Sequence, residues 1–266
     1  MNAVKKLFYP LYKFFTCKSF RELIFFELKN AKKSRYKHYH NLKFNQYTFD
    51  IVDIASTIGQ LQEIFIDEIY LFESKSKTPL IIDCGANIGL SCIYFKKIYP
   101  ESNIIAFEAD LNIYRVLQDN LKKCKIKGVQ INNSAIWKHN NGVTFNCEGA
   151  DGGAITESGL NKVKSTRLKN LLTKYDKIDF LKIDIEGSEY DVLNDCRKLL
   201  YKADKIFIEY HSQYNSNQRL DKILEMLSQN SFRYLIQNND LILNPYMTKG
   251  NDSPFDLQLN IFAYKA

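Results

Sequence analysis

Leu80-Ile81-Ile82-Asp83-Cys84-Gly85-Ala86-Asn87-Ile88-Gly89 is the stretch on which the reading turns. An apolar run of strand length enters a glycine turn, and the turn opens a helical stretch over residues 88–98 that stops before Pro100. Glycines at such a turn let the backbone approach a ligand with no side chain in the way. In open α/β sheets ligands settle beyond the carboxyl ends of the strands. The spacing departs from G-x-G-x-x-G, because Asn87 holds the middle glycine position. With an acid, Asp83, beside the loop, that departure argues against a pyrophosphate cradle and for a cationic ligand.

Outward from the turn, strand and helix signals alternate. Strands are expected at 103–107, 129–135, 178–183, 205–210, 232–237 and 257–264, with helices at 111–123, 166–174, 188–199 and 216–229 between them. A further strand at 142–147 is left out of the count, and residues 148–160 read as a loop. Seven strands with intervening helices predict an α/β fold, a mostly parallel sheet covered on both faces. The last two strands have no helix between them and predict an antiparallel hairpin at the sheet edge. Upstream, Ile54, Ile58, Leu61, Ile64, Phe65, Ile69 and Phe72 recur at helical steps, so 50–78 reads as an amphipathic helix.

Glu108 closes the second strand, 19 residues after Gly89, where a carboxylate can accept both hydroxyls of a ribose. The sulfonium and amino groups of S-adenosylmethionine fit the cationic requirement. Asp184 ends the fourth strand and is the candidate for touching acceptor or donor. Glu189 reads as a first-turn acid that caps its helix, and Glu186 as either a cap or a site residue. Glu209 and His211, two apart at the fifth strand's end, should point to one side. His211 is there a candidate general base for a hydroxyl, or simply a solvated histidine. Asp184, Glu186, Glu209 and His211 could also hold a divalent ion. The helical H-x-x-x-H spacing is absent and the six cysteines show no C-x-x-C pair, so no metal is assigned.

These residues resemble the FkbM-type S-adenosylmethionine-dependent methyltransferases. The resemblance rests on residues 82–89, on Ala106-Phe107-Glu108-Ala109-Asp110, on the run from Asp179 through Lys182-Ile183-Asp184-Ile185-Glu186-Gly187-Ser188-Glu189, and on Ile208-Glu209-Tyr210-His211. It spans about residues 80–234. It implies a Rossmann-like class I methyltransferase fold and O-methylation of a hydroxyl on a sugar, glycan or related small molecule. It also implies that Gly85, Asn87 and Gly89 wrap the methionine moiety of the donor, that Asp83 lies near its amino group, that Glu108 holds the ribose, and that Ser134 and Ala135 lie near the adenine. Cys84 and Ala109-Asp110 depart from the family pattern. Residues 51–266 would form the methyltransferase domain and residues 1–50 an arm. The alternatives are a nucleotide-sugar or NAD-linked oxidoreductase and a catalytically degenerate nucleoside-binding module.

With 45% apolar, 14% aromatic and 25% charged residues among 266, the composition excludes a disordered or fibrous chain. Six dilute cysteines read as reduced core residues of a cytoplasmic protein. The net charge of +7 is uneven. Residues 1–44 carry eleven Lys/Arg, two acids and eleven aromatics, a balance of +9, whereas the other 222 carry −2. No apolar stretch there approaches the ~20 residues of a membrane span. Two readings stand: a segment lying on an anionic membrane, at its inner face, or an arm whose aromatics pack on the domain while its lysines face water. No nucleic-acid module accompanies the charge, so nucleic acid is not expected as a partner. Oligomeric state is not legible.

Overall fold

The computed structural model describes residues 11–146, 153–155, 161–214, 216–238, 246 and 255–265. Along the chain run α1 (Lys18–Asn30), β1 (Tyr39–Phe44), β2 (Tyr47–Ile51), α2 (Ile54–Leu61), β3 (Leu80–Cys84), α3 (Leu90–Ile98), β4 (Asn103–Glu108), α4 (Leu111–Lys123) and β5 (Val129–Asn133). Short strands β6 (Ala135–Trp137), β7 (Val143–Asn146), β8 (Ala154–Ile155), β9 (Asn161–Val163) and β10 (Ser165–Arg167) follow. The rest is α5 (Leu168–Leu172), β11 (Ile178–Ile183), α6 (Glu189–Cys196), β12 (Ala203–Gln213), α7 (Leu220–Gln229), β13 (Arg233–Asn238) and β14 (Phe255–Tyr264).

Seven of these strands form one sheet in the order β13-β14-β12-β11-β3-β4-β5. The five strands from β12 to β5 are parallel. β14 is antiparallel to both β12 and β13. The C-terminal hairpin is therefore as expected, but the chain's last strand lies inside it and β13 is the edge. Burial explains the choice: Leu259, Ile261 and Ala263 of β14 are buried, whereas five of the six residues of β13 are exposed.

Alternation along the strands splits the core. Ile81, Ile104, Phe180 and Phe207 face a layer made of α1, the β1–β2 hairpin, α2, α3 and α4. Ile82, Leu181, Ile183 and Ile206 face α5, α6 and α7.

The expected helix over 50–78 is shorter. Asp53 caps α2 by accepting from the Ser56 N–H at 2.9 Å. A single π turn, Gln62–Ile66, follows, and the chain then leaves the helix at Glu68, whose φ is +53°. Of the later apolar residues Phe72 is buried and Ile69 partly so, but by an irregular segment: periodicity reported which side faces the core, not that the helix continued. The hairpin β1–β2 was not foreseen. The expected strand 129–135 divides into β5 and β6, and the omitted strand is β7, in a separate three-stranded sheet with β8 and β9. Of the expected loop 148–160, residues 148–152 and 156–160 lie outside the described residues.

Residues 18–51 share the domain's core. Phe26 meets Phe44 edge-on at 6.3 Å, Phe44 meets Phe65 at 5.5 Å, and Phe65 meets Tyr94 at 5.6 Å. Edge-to-face aromatic pairs add to the burial itself. Phe26→Ala should accordingly destabilise the protein by about 3–5 kcal/mol, while Phe25→Ala, at a position 57% exposed, should change stability by less than about 0.5 kcal/mol. Chemical denaturation of the two variants checks this.

Candidate active site

The carboxyl ends of β3, β4, β11 and β12 open into a cavity of about 590 Å³. Its wall includes Gly85, Ala86, Asn87, Glu108, Asp184, Glu186, Glu209 and His211. Ser134 and Ala135, where β5 passes into β6, complete this part of the wall. Nine of the eleven residues singled out in the sequence thus meet at one opening. Asp83 and Gly89 do not line it.

Asp83 lies one layer below the turn and is fully buried. Its Oδ2 accepts from the Ser91 hydroxyl at 2.6 Å and its Oδ1 sits 3.4 Å from Lys182 Nζ. The expected contact with a donor's amino group is therefore replaced by a structural one. Gly89, at φ +92°, begins α3, and a Cβ there would lie 2.5 Å from the Leu117 side chain. Gly85 also has a different reason from the expected one. At φ +90° its missing Cβ would fall 1.9 Å from the Asp184 carbonyl oxygen. The end of β11 approaches Gly85 from one side, while the residue also lines the cavity.

The turn is closed to anions. The N–H groups of Gly85 and Ala86 both donate to the Phe107 carbonyl, and that of Gly89 donates to Ala86. Asn87 N–H donates to Glu108 Oε2 at 2.9 Å and Ile88 N–H to the Asn87 side-chain oxygen at 2.6 Å. All five amides of the turn are spent inside the protein, so none is left for a pyrophosphate.

Glu108 bridges two loops. Its other oxygen accepts from the Asp110 N–H at 2.8 Å. Burial pushes its carboxyl up to about 7, against the pull of these two N–H groups. Each oxygen keeps a lone pair for a ribose hydroxyl. The residues present fit S-adenosylmethionine: fixed carboxylates, no free amide nest, and a room whose walls also carry Ile136 and Phe145.

The far wall is built by the turn between β11 and α6 together with the end of β12. Glu186 stands in the left-handed region, φ +54°, ahead of Gly187 at φ +92°. A non-glycine residue there costs on the order of 1 kcal/mol, and the conformation sends Glu186 into the cavity rather than to a capping role. Glu189 does not cap α6 as expected: its Oε1 accepts from the N–H groups of Ile185 at 3.2 Å and Gly187 at 3.0 Å, which belong to the turn before the helix. The same oxygen lies 3.2 Å from His211 Nδ1. His211 belongs to β12, which runs on to Gln213, so it is 4% exposed and not a loop histidine.

With Nδ1 held by Glu189, Nε2 faces Glu186 at 3.5 Å and Glu209 at 3.8 Å. Burial works against the imidazolium, but Glu189, Glu186 and Glu209 together raise the His211 pKa well above its usual value. Burial, with Asp184 nearby, pushes Glu209 up to about 8. Burial also raises Glu186, against the pull of His211. Asp184, Glu186 and His211 offer three ligand atoms within 4.8 Å of one another, a spacing that a divalent ion could use. Tyr70, in the irregular segment after the π turn, also lines the cavity and was not foreseen. No sequence signal marked it, because its segment read as helix.

Residues 83–234 match the profile of the "Methyltransferase FkbM domain". "Methyltransferase 1" of Beauveria bassiana is 28% identical over 181 residues, covering 56% of this chain and 73% of that protein. "2-O-methyltransferase NoeI" of Sinorhizobium fredii is 24% identical, covering 56% of this chain and 71% of that protein. The crystal structure of methyltransferase FkbM from Methylobacillus flagellatus superposes with a TM-score of 0.51 at 17% identity, covering 80% of this chain and 56% of that one. That likeness speaks to the fold.

Since a cationic donor favours the ionised carboxylate, its affinity should rise with pH up to about 7, where Glu108 loses its proton, and level off above. Glu108→Gln should weaken S-adenosylmethionine binding by about 2–4 kcal/mol at pH 8 and remove that rise. Calorimetry from pH 5.5 to 8.5 measures both, and an unchanged slope in the variant would defeat the ribose assignment.

Proposed function

Because the chain belongs to the Methyltransferase FkbM domain family, matched over residues 83–234, we propose that it transfers the methyl group of S-adenosylmethionine to a hydroxyl oxygen of a sugar, glycan or related small molecule. The donor, when bound, supplies a methyl carbon on a cationic sulfur, open to in-line attack. The transfer forms an O–C bond, breaks the C–S bond, and leaves S-adenosylhomocysteine and one proton.

His211 carries this reading. Its ring lines the cavity with Nδ1 engaged by Glu189, which leaves Nε2 on the side of Glu186 and Glu209. A base so oriented takes the hydroxyl proton in the direction of attack. In the free protein the surrounding carboxylates raise the His211 pKa. A positive charge brought into the cavity opposes that and lowers the pKa, so donor binding readies the base. Asp184, held by Lys182 Nζ at 3.0 Å, and Glu209 are placed to accept hydrogen bonds from neighbouring acceptor hydroxyls. Arg35, Gln60 and Gln258 add polar groups to the wall, as a polyhydroxylated acceptor requires. The name of the Sinorhizobium relative, a 2-O-methyltransferase, agrees with oxygen as the acceptor atom.

The test is transfer of labelled methyl to a panel of monosaccharides, oligosaccharides, amines and thiols. Label in an ether linkage is expected. His211→Gln should lower kcat at least about a hundredfold with the donor Kd within about twofold, and wild-type kcat should rise with pH above neutrality as His211 deprotonates. Label on nitrogen or sulfur, or an unchanged kcat in the variant, would overturn the reading.

A further inference from the structure

α1 is apolar on two opposite faces, and among the described residues only one of them packs into the core. At 100° per residue, Leu23, Phe26 and Asn30 share the face that enters the core, where they are buried. Lys18, Phe25, Leu28 and Lys29 share the opposite face. Phe25 is 57% exposed and Leu28 70%. The segment just before α1 continues the pattern with Leu11, Tyr12 and Phe15, all more than half exposed. Bulky apolar side chains so concentrated on one short segment mark an interaction surface.

The charge on the same segment says what kind. Residues 11–44 carry nine Lys/Arg against Glu22 and Glu27, and Lys18, Lys29, Lys32 and Lys37 are exposed beside the apolar side chains. Exposed aromatics and leucines amid cations match the boundary between anionic headgroups and acyl chains. Among the described residues no helix is long and apolar enough to cross a membrane. Such a segment would lie on the surface.

The end of the segment reaches the site. Buried Asp53 accepts from the Tyr36 N–H at 2.6 Å and pairs with Arg35 at 3.4 Å. Arg35 and Tyr36 line the cavity. We infer that the outer face of α1, with Leu11, Tyr12 and Phe15, docks the protein on an anionic lipid surface and brings the cavity mouth to that surface. The consequence for substrate, a glycan carried on a lipid, rests on the methyl-transfer reading. The docking itself does not.

Sedimentation of the full chain with phosphatidylcholine vesicles, with and without 30% phosphatidylglycerol, needs no methyl donor and so reads docking apart from chemistry. At 0.1 M salt the anionic vesicles should bind at least tenfold more protein, and 0.5 M salt should remove most of the difference. Phe25→Ser with Leu28→Ser should lower binding at least tenfold while the melting temperature and the S-adenosylmethionine Kd stay unchanged. Lys18→Glu with Lys29→Glu should lower it at least about tenfold. Equal binding to both vesicle types, or binding to neither, would overturn the inference. So would a self-association in ultracentrifugation that the Phe25/Leu28 variant abolishes, since a second copy would then be the occupant.

Discussion

Lys182 carries its charge inside the protein, 2.6 Å from the Gly85 carbonyl, 3.0 Å from Asp184 and 3.4 Å from Asp83. Burial works against that charge, but Asp184, Tyr70 and Asp83 hold its pKa well above the ordinary lysine value. One ammonium thereby ties the end of β11 to the turn after β3. Removing it would leave Asp83 buried without its cation, and breaking a buried pair from one side costs about 3–5 kcal/mol. The close approach that Gly85 permits and the placing of Asp184 at the cavity edge both follow from this clamp. A strand pair held at its carboxyl end is what gives the cavity a fixed floor.

On that floor acidic groups predominate. Glu108, Asp184, Glu186 and Glu209 surround a space with no free amide nest, so the site is tuned against phosphate and for a cation. His211 is the counterweight. It sits among three carboxylates, and its ring is fixed by the acid that also braces the turn before α6. One side chain, Glu189, thus couples the start of a helix to the orientation of a base on the next strand. The cost is visible in the backbone, where Glu186 occupies a region that favours glycine. Strain of this kind persists only where surrounding structure holds it in place.

The N-terminal segment shows how composition underdetermines structure. Eleven aromatics and eleven cations in 44 residues admit both a membrane-surface reading and a packed one. In the fold the segment is divided by face: Leu23 and Phe26 enter the core while Phe25 and Leu28 remain outside. The two readings are not exclusive, because a helix has two sides.

The sequence by itself determined the order of the seven strands of the main sheet along the chain, the turn at 83–89, and the acids at the strand ends. Those features are local: alternation, apolar runs and turn residues act over a few positions. It also placed Glu209 and His211 on one side of a strand, since period two needs no partner. Only the tertiary structure decided that Asp83 lies beneath the loop and not in the site, because Lys182 and Ser91 come to it from elsewhere in the chain. The same holds for Gly85, whose neighbour is residue 184, and for Glu189, whose partner is residue 211. Contacts between separate elements, from eight to about a hundred residues apart, leave no periodic trace in the sequence, and they set the chemistry of this site.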